Sequence, residues 1–266
     1  MKEKTKAMLI GLAGTYAALK LLAYATEEKP SIDDDNAYLN TAVEKQEERK
    51  PSAYEQWVKP GLDSALSFFG MIALLPVYAA ATAAVWLDDP GPILFKQKRV
   101  GKDKSFFMMS KFRTMKMSTP HDVPTHLLQN PEQYITRFGR FARRYSIDEA
   151  CQLWDVFRHR ISLVGPRPAL WNQADLIAER DKYGANDIMP GITGWAQING
   201  RDELPIEVKA RYDGAYAAAL KKGGWTAFRM DLRCLLGTFG KVMRHEGVLE
   251  GGPDGVREAE KESAGV

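Results

Sequence analysis

The sequence predicts an α+β fold that is rich in helix, associates with a membrane and contains one small β-hairpin. Two observations lead to this class. Residues 64–87 form an apolar stretch without a charged side chain, long enough to enter a bilayer, since a spanning helix needs about 20 residues. Two short strand patterns and then mostly helical spacing follow it. The 266 residues suit one catalytic domain with an appended element.

Residues 1–57 are predicted to hold an N-terminal apolar helix and a charged linker. The helix covers residues 7–25, which are apolar apart from Lys20. It could span the membrane, lie at its surface or pack on the protein itself, because the lysine stem can extend its charge to water. Residues 27–60 are polar, mixed in charge and without sustained periodicity, which is typical of a linker.

Residues 58–90 are predicted to form a bent membrane helix around Pro76. A proline inside a helix removes one backbone donor and clashes with the carbonyl four residues earlier, so the helix should kink there. It could cross the bilayer with a bend, or turn and return to the same face. The positive-inside rule places the following flank in the cytoplasm, because basic residues crowd positions 96–104. The mixed charges upstream do not choose between the topologies.

Residues 91–250 are predicted to form the catalytic domain, which faces the cytoplasm. ILFKQKRVG and SFFMMSKFRTM, separated by GKDK, indicate a β-hairpin. Helices interrupted at residues 145–147, a short strand in ISLVGPRP, a helix closed by Gly184 and a glycine-rich loop in PGITGWAQING follow. Helical spacing returns over residues 203–243, and the charged residues 251–266 are predicted to be disordered.

Charge and cysteine content narrow the function classes. The net charge is only +3, but basic residues concentrate between positions 96 and 167, which indicates an anionic surface or ligand. Cys151 and Cys234 have no second cysteine or histidine at metal-ligand spacing. They are therefore expected to be reduced thiols, and a disulfide framework is excluded.

An arginine cluster stands directly before a carboxylate pair. Unpaired cations at this density repel one another and imply an anion, and guanidinium groups suit phosphate oxygens. A solvated or headgroup-facing basic helix would give the same spacing. At helical spacing three of the arginines share one face and Arg143 flanks it. The cluster consists of Arg137, Arg140, Arg143 and Arg144.

The pair itself is Asp148 and Glu149. We expect Asp148 in the first turn of a helix, where a carboxylate stays ionised and can meet a phosphoryl group or Mg²⁺. An aspartate there can also attack a phosphoryl centre. Ser146 and Glu149 could alternatively form a capping box with a purely structural role.

Other basic residues are candidates for phosphate or substrate binding. Lys111 and Arg113 point the same way on the second strand and could hold lipid or donor phosphates, although a surface strand would look similar. Arg167 lies between two prolines that stiffen its backbone. Trp195 and Arg201 flank or lie in the glycine-rich loop, which could cradle a nucleotide or could only satisfy turn geometry.

Six motifs in order resemble the bacterial sugar transferases, also called monotopic phosphoglycosyl transferases, which include the undecaprenyl-phosphate glycosyl-1-phosphate transferases. The resemblance covers residues 59–248. Each motif alone is weak, but their order is specific. They are the apolar helix with Pro76, DPGPILFKQKRVG, KFRTM, SIDE, LVGPRP and PGITGWAQING.

The resemblance implies a mechanism and a location. Asp148 would attack the β-phosphate of a UDP-sugar, release UMP and hold the phosphosugar until a polyprenyl (undecaprenyl) phosphate attacks. Glu149 would complete an Mg²⁺-binding dyad, with Mn²⁺ as a substitute, and Arg143 would bind phosphate. The helix through Pro76 would be re-entrant, in the bacterial inner membrane. Such enzymes initiate exopolysaccharide, capsule or other glycoconjugate synthesis.

Two departures from the family pattern leave an alternative open. Ala150 and Cys151 follow the dyad in place of the usual Leu-Pro, and residues 159–162 replace a Gly-Asp-Met-Ser segment. A non-catalytic membrane adaptor that keeps the fold is therefore the alternative, although the intact dyad argues against it. Nucleic acid is not expected as a partner, because no recognisable module interleaves aromatic residues with the arginines.

Overall fold

The computed structural model describes residues 50–119, 131–200 and 204–244. It is helix-rich with small sheets, as the predicted α+β class requires. The predicted helix at residues 7–25, most of the linker, Arg201 and the tail at residues 251–266 lie outside the described residues.

The apolar segment forms two helices that meet at a sharp bend. A π-helical turn, Tyr54–Val58, runs into α1, Lys59–Ala73, and α2 follows at Leu75–Asp88. The two helices differ in direction by 61°. The break falls at Leu74, just before Pro76, because the proline ring excludes the carbonyl of a preceding helical turn. The predicted kink is therefore confirmed, but the helical structure begins at Tyr54, ahead of the predicted boundary at residue 58.

No single helix of the described residues is long and apolar enough to cross a membrane. The bent pair passes that test when α1 and α2 are taken together with the turn before them. Length and composition thus allow a broken span or a re-entrant loop.

The predicted β-hairpin is confirmed. β1, Leu94–Val100, pairs antiparallel with β2, Phe106–Phe112, through a turn that contains the short 3₁₀ helix Lys102–Lys104. Its inner side packs on α2, where Leu94 and Phe112 meet Tyr78 and Val85 in one buried cluster. The hairpin is thus attached to the second half of the bent pair.

The segment before the second sheet is helical and broken, as predicted. A 3₁₀ helix, Pro131–Tyr134, precedes α3, Arg137–Arg144. After the interruption come a second 3₁₀ helix, Ile147–Gln152, and α4, Leu153–Phe157. This second 3₁₀ helix is called the dyad helix below.

A second small sheet replaces part of the predicted glycine-rich loop. β3, Ser162–Val164, leads through a loop to α5, Ala174–Asp181, and pairs in parallel with β4, Gly191–Thr193. The rest of the motif forms α6, Trp195–Ile198. A Cβ atom on Gly191 would lie 2.1 Å from the backbone nitrogen of Gly165. The motif is therefore not a simple loop, because its glycine allows the two backbones to touch.

Two long helices close the fold. α7, Ile206–Lys222, and α8, Gly224–Arg244, confirm the helical spacing predicted there. They form the largest buried cluster together with β3 and the π-helical turn, so the start of the bent pair is part of the same core. The buried members of this cluster are Tyr54, Val164, Ile188, Tyr216, Ala217, Leu220, Ala227 and Cys234.

Candidate active site

The carboxylate pair lies where the chain turns sharply after α3. α3 ends at Arg144, and Ser146 adopts a left-handed conformation with φ 54° and ψ 25°, which is uncommon for a residue with a side chain. Asp148 and Glu149 then lie in the first turn of the dyad helix. The alternative of a capping box is wrong, because the Ser146 hydroxyl makes no cap hydrogen bond, and Glu149 instead pairs with Arg167.

Two neighbouring elements hold the dyad helix. Tyr78 of α2 donates its hydroxyl to the carbonyl oxygen of Ala150 at 3.0 Å. Cys151 donates its thiol to the carbonyl oxygen of Ser110 on β2 at 3.2 Å. Burial raises the pKa of this thiol well above its ordinary value, so the sulfur keeps its proton. Proline could not make this contact, and Cys151 therefore gives the dyad helix an attachment to β2 that the usual Leu-Pro lacks.

Close packing at the start of α3 sets the direction of Arg143. Thr136 caps the helix, since its Oγ1 accepts a hydrogen bond from the Gly139 amide at 2.9 Å. A Cβ atom on Gly139 would lie 2.1 Å from the carbonyl oxygen of Thr114, so α3 rests directly on the chain that follows β2. Arg143 then donates from Nε to Thr114 Oγ1 at 3.0 Å, which orients its guanidinium group.

The other arginines of the cluster lie on the outer face of α3. Arg137, Arg140 and Arg144 are exposed, whereas Arg143 is half-buried. The prediction that Arg137, Arg140 and Arg144 share a face is therefore confirmed, but that face points outward. Phosphate binding by Arg140 stays a prediction.

Glu149 is held by the loop that follows β3. Arg167 Nη2 lies 2.5 Å from Glu149 Oε1, and a second, longer contact joins Nη1 to Oε2 at 3.5 Å. The structure thus brings Arg167 to the dyad from the second sheet, far from the arginine cluster in sequence.

Lys111 and Arg113 have different surroundings. Arg113 follows β2, is buried, and places Nη1 2.6 Å from Asp89 Oδ2. Asp88 accepts a hydrogen bond from the Phe138 amide in the first turn of α3 at 2.7 Å. These contacts join the end of α2 to the dyad's surroundings and give Arg113 a structural role, so its predicted phosphate binding has no contact that supports it. Lys111 instead interacts electrostatically with both carboxylates of the pair, which raise its pKa against the effect of burial.

Opposing charges meet around Asp148. Burial and, to a smaller extent, the neighbouring Glu149 raise the pKa of Asp148, while Lys111 and Arg143 act against the rise, and the resulting pKa is about 6. Burial likewise lowers the pKa of Lys111 to about 8, while Asp148 opposes this and the cations Arg99 and Arg143 add to it. Within the described residues no salt bridge neutralises Asp148. A buried carboxylate among cations can act as a nucleophile toward an anionic centre.

Sequence reasoning missed Arg99 as a member of this charged group. Arg99 on β1 lies opposite Phe107, and Lys111 on β2 lies opposite Phe95. Residues directly opposite each other share a face of the sheet, as do residues an even number of positions apart along one strand. Phe95 and Arg99 are four positions apart on β1, so Arg99 and Lys111 point to the same side of the hairpin. The predicted hairpin could have identified Arg99, since alternation alone places it on the same face as Lys111.

A comparison with protein families identifies the chain. The sequence pattern of the family described as "Bacterial sugar transferase" matches residues 54–245, which is most of the chain and nearly all of its described part. The chain belongs to the bacterial sugar transferase family. The resemblance found in the motifs is thereby confirmed.

This sugar transferase is similar to one curated relative named as uncharacterized and to others named as glucose-1-phosphate transferases. It is 40% identical over 168 residues to "Uncharacterized sugar transferase EpsL" of Bacillus subtilis, covering 63% of this chain and 78% of that protein. It is 33% identical over 188 residues to the UDP-glucose:undecaprenyl-phosphate glucose-1-phosphate transferase of Xanthomonas campestris, covering 68% and 38%. The protein of the same name from Escherichia coli is 35% identical over 157 residues, covering 56% and 32%. The chain thus spans less than half of the two named glucose-1-phosphate transferases.

The carboxylates of this sugar transferase suit a hard divalent cation. Asp148 and Glu149 are consecutive carboxylates, close enough for Glu149 to raise the pKa of Asp148, and a cation would relieve that repulsion. Within the described ranges, no group of three or more His, Cys, Asp or Glu side chains gathers. Two carboxylates fit Mg²⁺ or Mn²⁺, because Mg²⁺ usually takes one or two carboxylates together with waters and substrate phosphates.

Proposed function

We propose that this sugar transferase transfers a sugar 1-phosphate from a UDP-sugar to polyprenyl (undecaprenyl) phosphate through a covalent intermediate on Asp148. The observation that supports it best is the buried Asp148 carboxylate, whose pKa both Lys111 and Arg143 influence, with Glu149 held by Arg167. The printed names of the Xanthomonas and Escherichia relatives favour the donor and acceptor class. Initiation of exopolysaccharide, capsule or other glycoconjugate synthesis would follow from this chemistry.

The proposed reaction has two displacements at one phosphorus atom. An Asp148 oxygen attacks the β-phosphorus of the donor, and the bond from that phosphorus to the bridging oxygen breaks, so UMP leaves with the electron pair. A phosphate oxygen of the acceptor then attacks the same phosphorus and releases the Asp148 carboxylate. Lys111 and Arg143 stabilise the charge that develops on the phosphoryl oxygens. Mg²⁺ or Mn²⁺ held by Asp148 and Glu149 would neutralise part of the diphosphate charge.

A non-catalytic adaptor is the weaker candidate. It is motivated by Ala150 and Cys151 in place of Leu-Pro, yet the Cys151 thiol attaches the dyad helix to β2, and Tyr78 bonds to the Ala150 backbone, which leucine would offer equally. An adaptor would have no need for a desolvated carboxylate among cations, because such an arrangement costs stability. The charged site therefore favours catalysis.

Release of UMP tests the proposed function. Purified protein in detergent is incubated with polyprenyl phosphate, Mg²⁺ and one UDP-sugar at a time, and UMP is measured. We expect release with at least one sugar and none in excess EDTA, with recovery when Mg²⁺ or Mn²⁺ is restored. Absence of UMP release across the panel, or full turnover in EDTA without protein-bound metal, would contradict the proposal.

The two shifted pKa values predict a bell-shaped pH profile. The value of kcat/KM should rise as Asp148 ionises, with a midpoint no higher than about pH 6 because bound Mg²⁺ favours the ionised form, and fall through about pH 8 as Lys111 loses its proton. Lys111→Arg should abolish the alkaline fall, because arginine stays protonated. Lys116→Arg, at an exposed lysine beyond β2, is the matched control and should keep the wild-type profile. An unchanged alkaline limb in Lys111→Arg would assign it to another group.

We further propose that the bent pair is a re-entrant helix, with the catalytic domain at the cytoplasmic face of the inner membrane. Both ends of the pair contact the same domain. Near its start, Lys59 Nζ lies 2.8 Å from Asp231 Oδ2 of α8, and Ser162 Oγ of β3 donates to Asp63 Oδ2 at 2.6 Å. Its end is joined to that domain by the contacts of Asp88 and Asp89 described above.

Apolar side chains at the bend support insertion into lipid. Phe68, Phe69 and Ile72 are exposed on the turn of α1 that leads into the bend, where water would make no favourable contact with them. Contacts at both ends and apolar exposure at the bend agree with entry and return on one side better than with a crossing helix.

Cysteine labelling tests this topology. A cysteine at Lys59, the first residue of α1, would not be accessible to a label, because Lys59 is buried and ion-paired. The positions to label are therefore Trp57, which is 73% exposed, and Lys96. In intact cells, an impermeant maleimide should label neither Trp57→Cys nor Lys96→Cys until the inner membrane is opened. Both single-cysteine variants are made in a background that lacks Cys151, which is half-buried, and Cys234, which is buried, and that background is the unlabelled control. Labelling of Trp57→Cys alone in intact cells would indicate a spanning helix.

A further inference from the structure

Six consecutive carbonyl groups, from the last residue of β3 through the loop that carries Arg167, all accept hydrogen bonds. Each carbonyl oxygen from residue 164 to residue 169 accepts a hydrogen bond from a different partner. In order, the donors are the Tyr216 hydroxyl, the Gln197 amide side chain, the Gly191 backbone amide, the Arg180 guanidinium, the Arg99 guanidinium and the Val100 backbone amide. Such a loop is unusually constrained for a connection outside regular structure.

Arginine side chains hold the two carbonyls nearest the ion pair with the dyad. Arg180 Nη1 donates to the carbonyl oxygen of Arg167 at 3.0 Å, and Arg99 Nη1 donates to that of Pro168 at 2.9 Å. Pro166 and Pro168 lack amide donors, so neighbouring strands cannot hold them through their own nitrogen atoms. The guanidinium groups thus supply contacts that a regular strand pairing would otherwise provide.

Arg180 is itself fixed by a buried ion pair. Its Nε and Nη2 lie 2.8 Å and 2.6 Å from Asp213 Oδ2 on α7. Arg180 is 3% exposed and Asp213 1%. Burying two charges removes their hydration, and a buried ion pair is often no more stabilising than an apolar pair of similar size. The pair is therefore better explained by the direction it gives to Arg180 than by stability.

We propose that Arg180 and Asp213 are positioning residues that hold Arg167 in contact with Glu149 of the dyad. The chain of contacts runs from Asp213 through Arg180 to the Arg167 backbone, and from the Arg167 side chain to Glu149. The catalytic consequence rests on the proposed function, because it requires Glu149 to act in transfer. The mechanical consequence does not, since it concerns only the mobility of the loop.

Arg180 is a better test of this idea than Arg99. Arg99 influences the pKa of Lys111 and so belongs to the charged site itself. Arg180→Lys keeps the positive charge opposite Asp213, but one ammonium group lacks the planar fork that holds Asp213 and the Arg167 carbonyl together. Asp213→Asn removes the charge and keeps an acceptor, and it serves as the second variant if Arg180→Lys folds poorly.

A double-mutant cycle measures whether Arg180 acts through Arg167. Arg180→Lys should lower kcat about 10–100-fold, the range expected from a small misplacement of a catalytic group. In an Arg167→Ala background the same change should cost less than about twofold, because the residue that it positions is gone. Equal losses in both backgrounds would overturn the proposal. Lys104→Asn, which breaks the ion pair with Asp181 on the same helix, is the control for a general effect on α5.

Hydrogen exchange tests the mechanical part without activity. In Arg180→Lys or Asp213→Asn, the peptide covering residues 163–170 should exchange faster, and the β-hairpin should be unchanged. Exchange unchanged in residues 163–170, or faster throughout the protein, would overturn the proposal. If wild type turns over no UDP-sugar, the proposed function fails, yet this exchange result still decides whether Arg180 and Asp213 hold the loop.

Discussion

Asp148→Asn is expected to lower kcat by more than about 10³-fold, as removal of a nucleophile does in enzymes with covalent intermediates. Asparagine has nearly the same shape but no negative charge with which to attack phosphorus. Incubation of wild type with donor alone should add the mass of the sugar phosphate to the intact protein, and the variant should gain nothing. Activity near the wild-type level, or an adduct on the variant, would place the nucleophile elsewhere.

The same change should make the folded protein more stable. The pKa of Asp148 is raised from 3.8 to about 6 in the folded state, so folding disfavours its ionised form. This penalty is absent below about pH 4, grows between about pH 4 and pH 6, and is complete above that range. At pH 7.5 the neutral asparagine should therefore add about 2–3 kcal/mol of unfolding free energy, since one pKa unit corresponds to about 1.4 kcal/mol.

Thermal unfolding in detergent with EDTA present measures this effect. The melting temperature of Asp148→Asn should exceed that of wild type at pH 7.5, and the difference should shrink as the pH approaches 4. Glu132→Gln, at an exposed carboxylate, is the control and should change little. A folded Asp148→Asn variant that melts below wild type at pH 7.5 would contradict a desolvated, destabilising carboxylate.

Arg143→Ala is expected to give the second largest loss, about 2–4 kcal/mol of transition-state stabilisation, as found when one oriented donor to a developing charge is removed. The guanidinium is held by Thr114 and lies close enough to Asp148 to act against the rise in its pKa. Arg143→Lys should restore only part of the rate, because the ammonium group cannot reproduce the fork. The rates of UMP release from wild type and both variants provide the measurement.

Arg144→Ala is the matched control, since Arg144 is the adjacent residue in the last turn of α3 but is exposed. Its kcat/KM should stay within about twofold of wild type, the small change typical of a surface charge. Equal losses in Arg143→Ala and Arg144→Ala would indicate that the whole arginine cluster faces headgroups and that no single arginine acts at the dyad.

The sequence by itself was enough to predict the structural elements that depend on neighbouring residues. Strand alternation on both sides of GKDK predicted the β-hairpin, and a proline in an apolar stretch predicted the bend, which the structure places at Leu74. The order of six motifs was sufficient to identify the family, because an unrelated chain is not expected to contain all six motifs in that order. The dyad and its candidate partners Lys111, Arg143 and Arg167 were also named from motifs.

Only the tertiary structure decided which charges meet. Helical spacing separates the faces of α3 but does not say which one turns inward, so the contact that orients Arg143, with Thr114, came only from the structure. The capping box was a valid local pattern, but Glu149 bonds to Arg167, which lies in the loop after β3.

The buried contacts between distant segments had no signal in the sequence. Arg180 and Asp213 lie on separate helices, and Lys59 pairs with Asp231 across most of the chain. Local patterns report periodicity and turn chemistry, whereas an ion pair of this kind exists only where packing excludes water from two charges at once. That exclusion depends on how the helices and sheets pack, which a single sequence read along the chain does not contain.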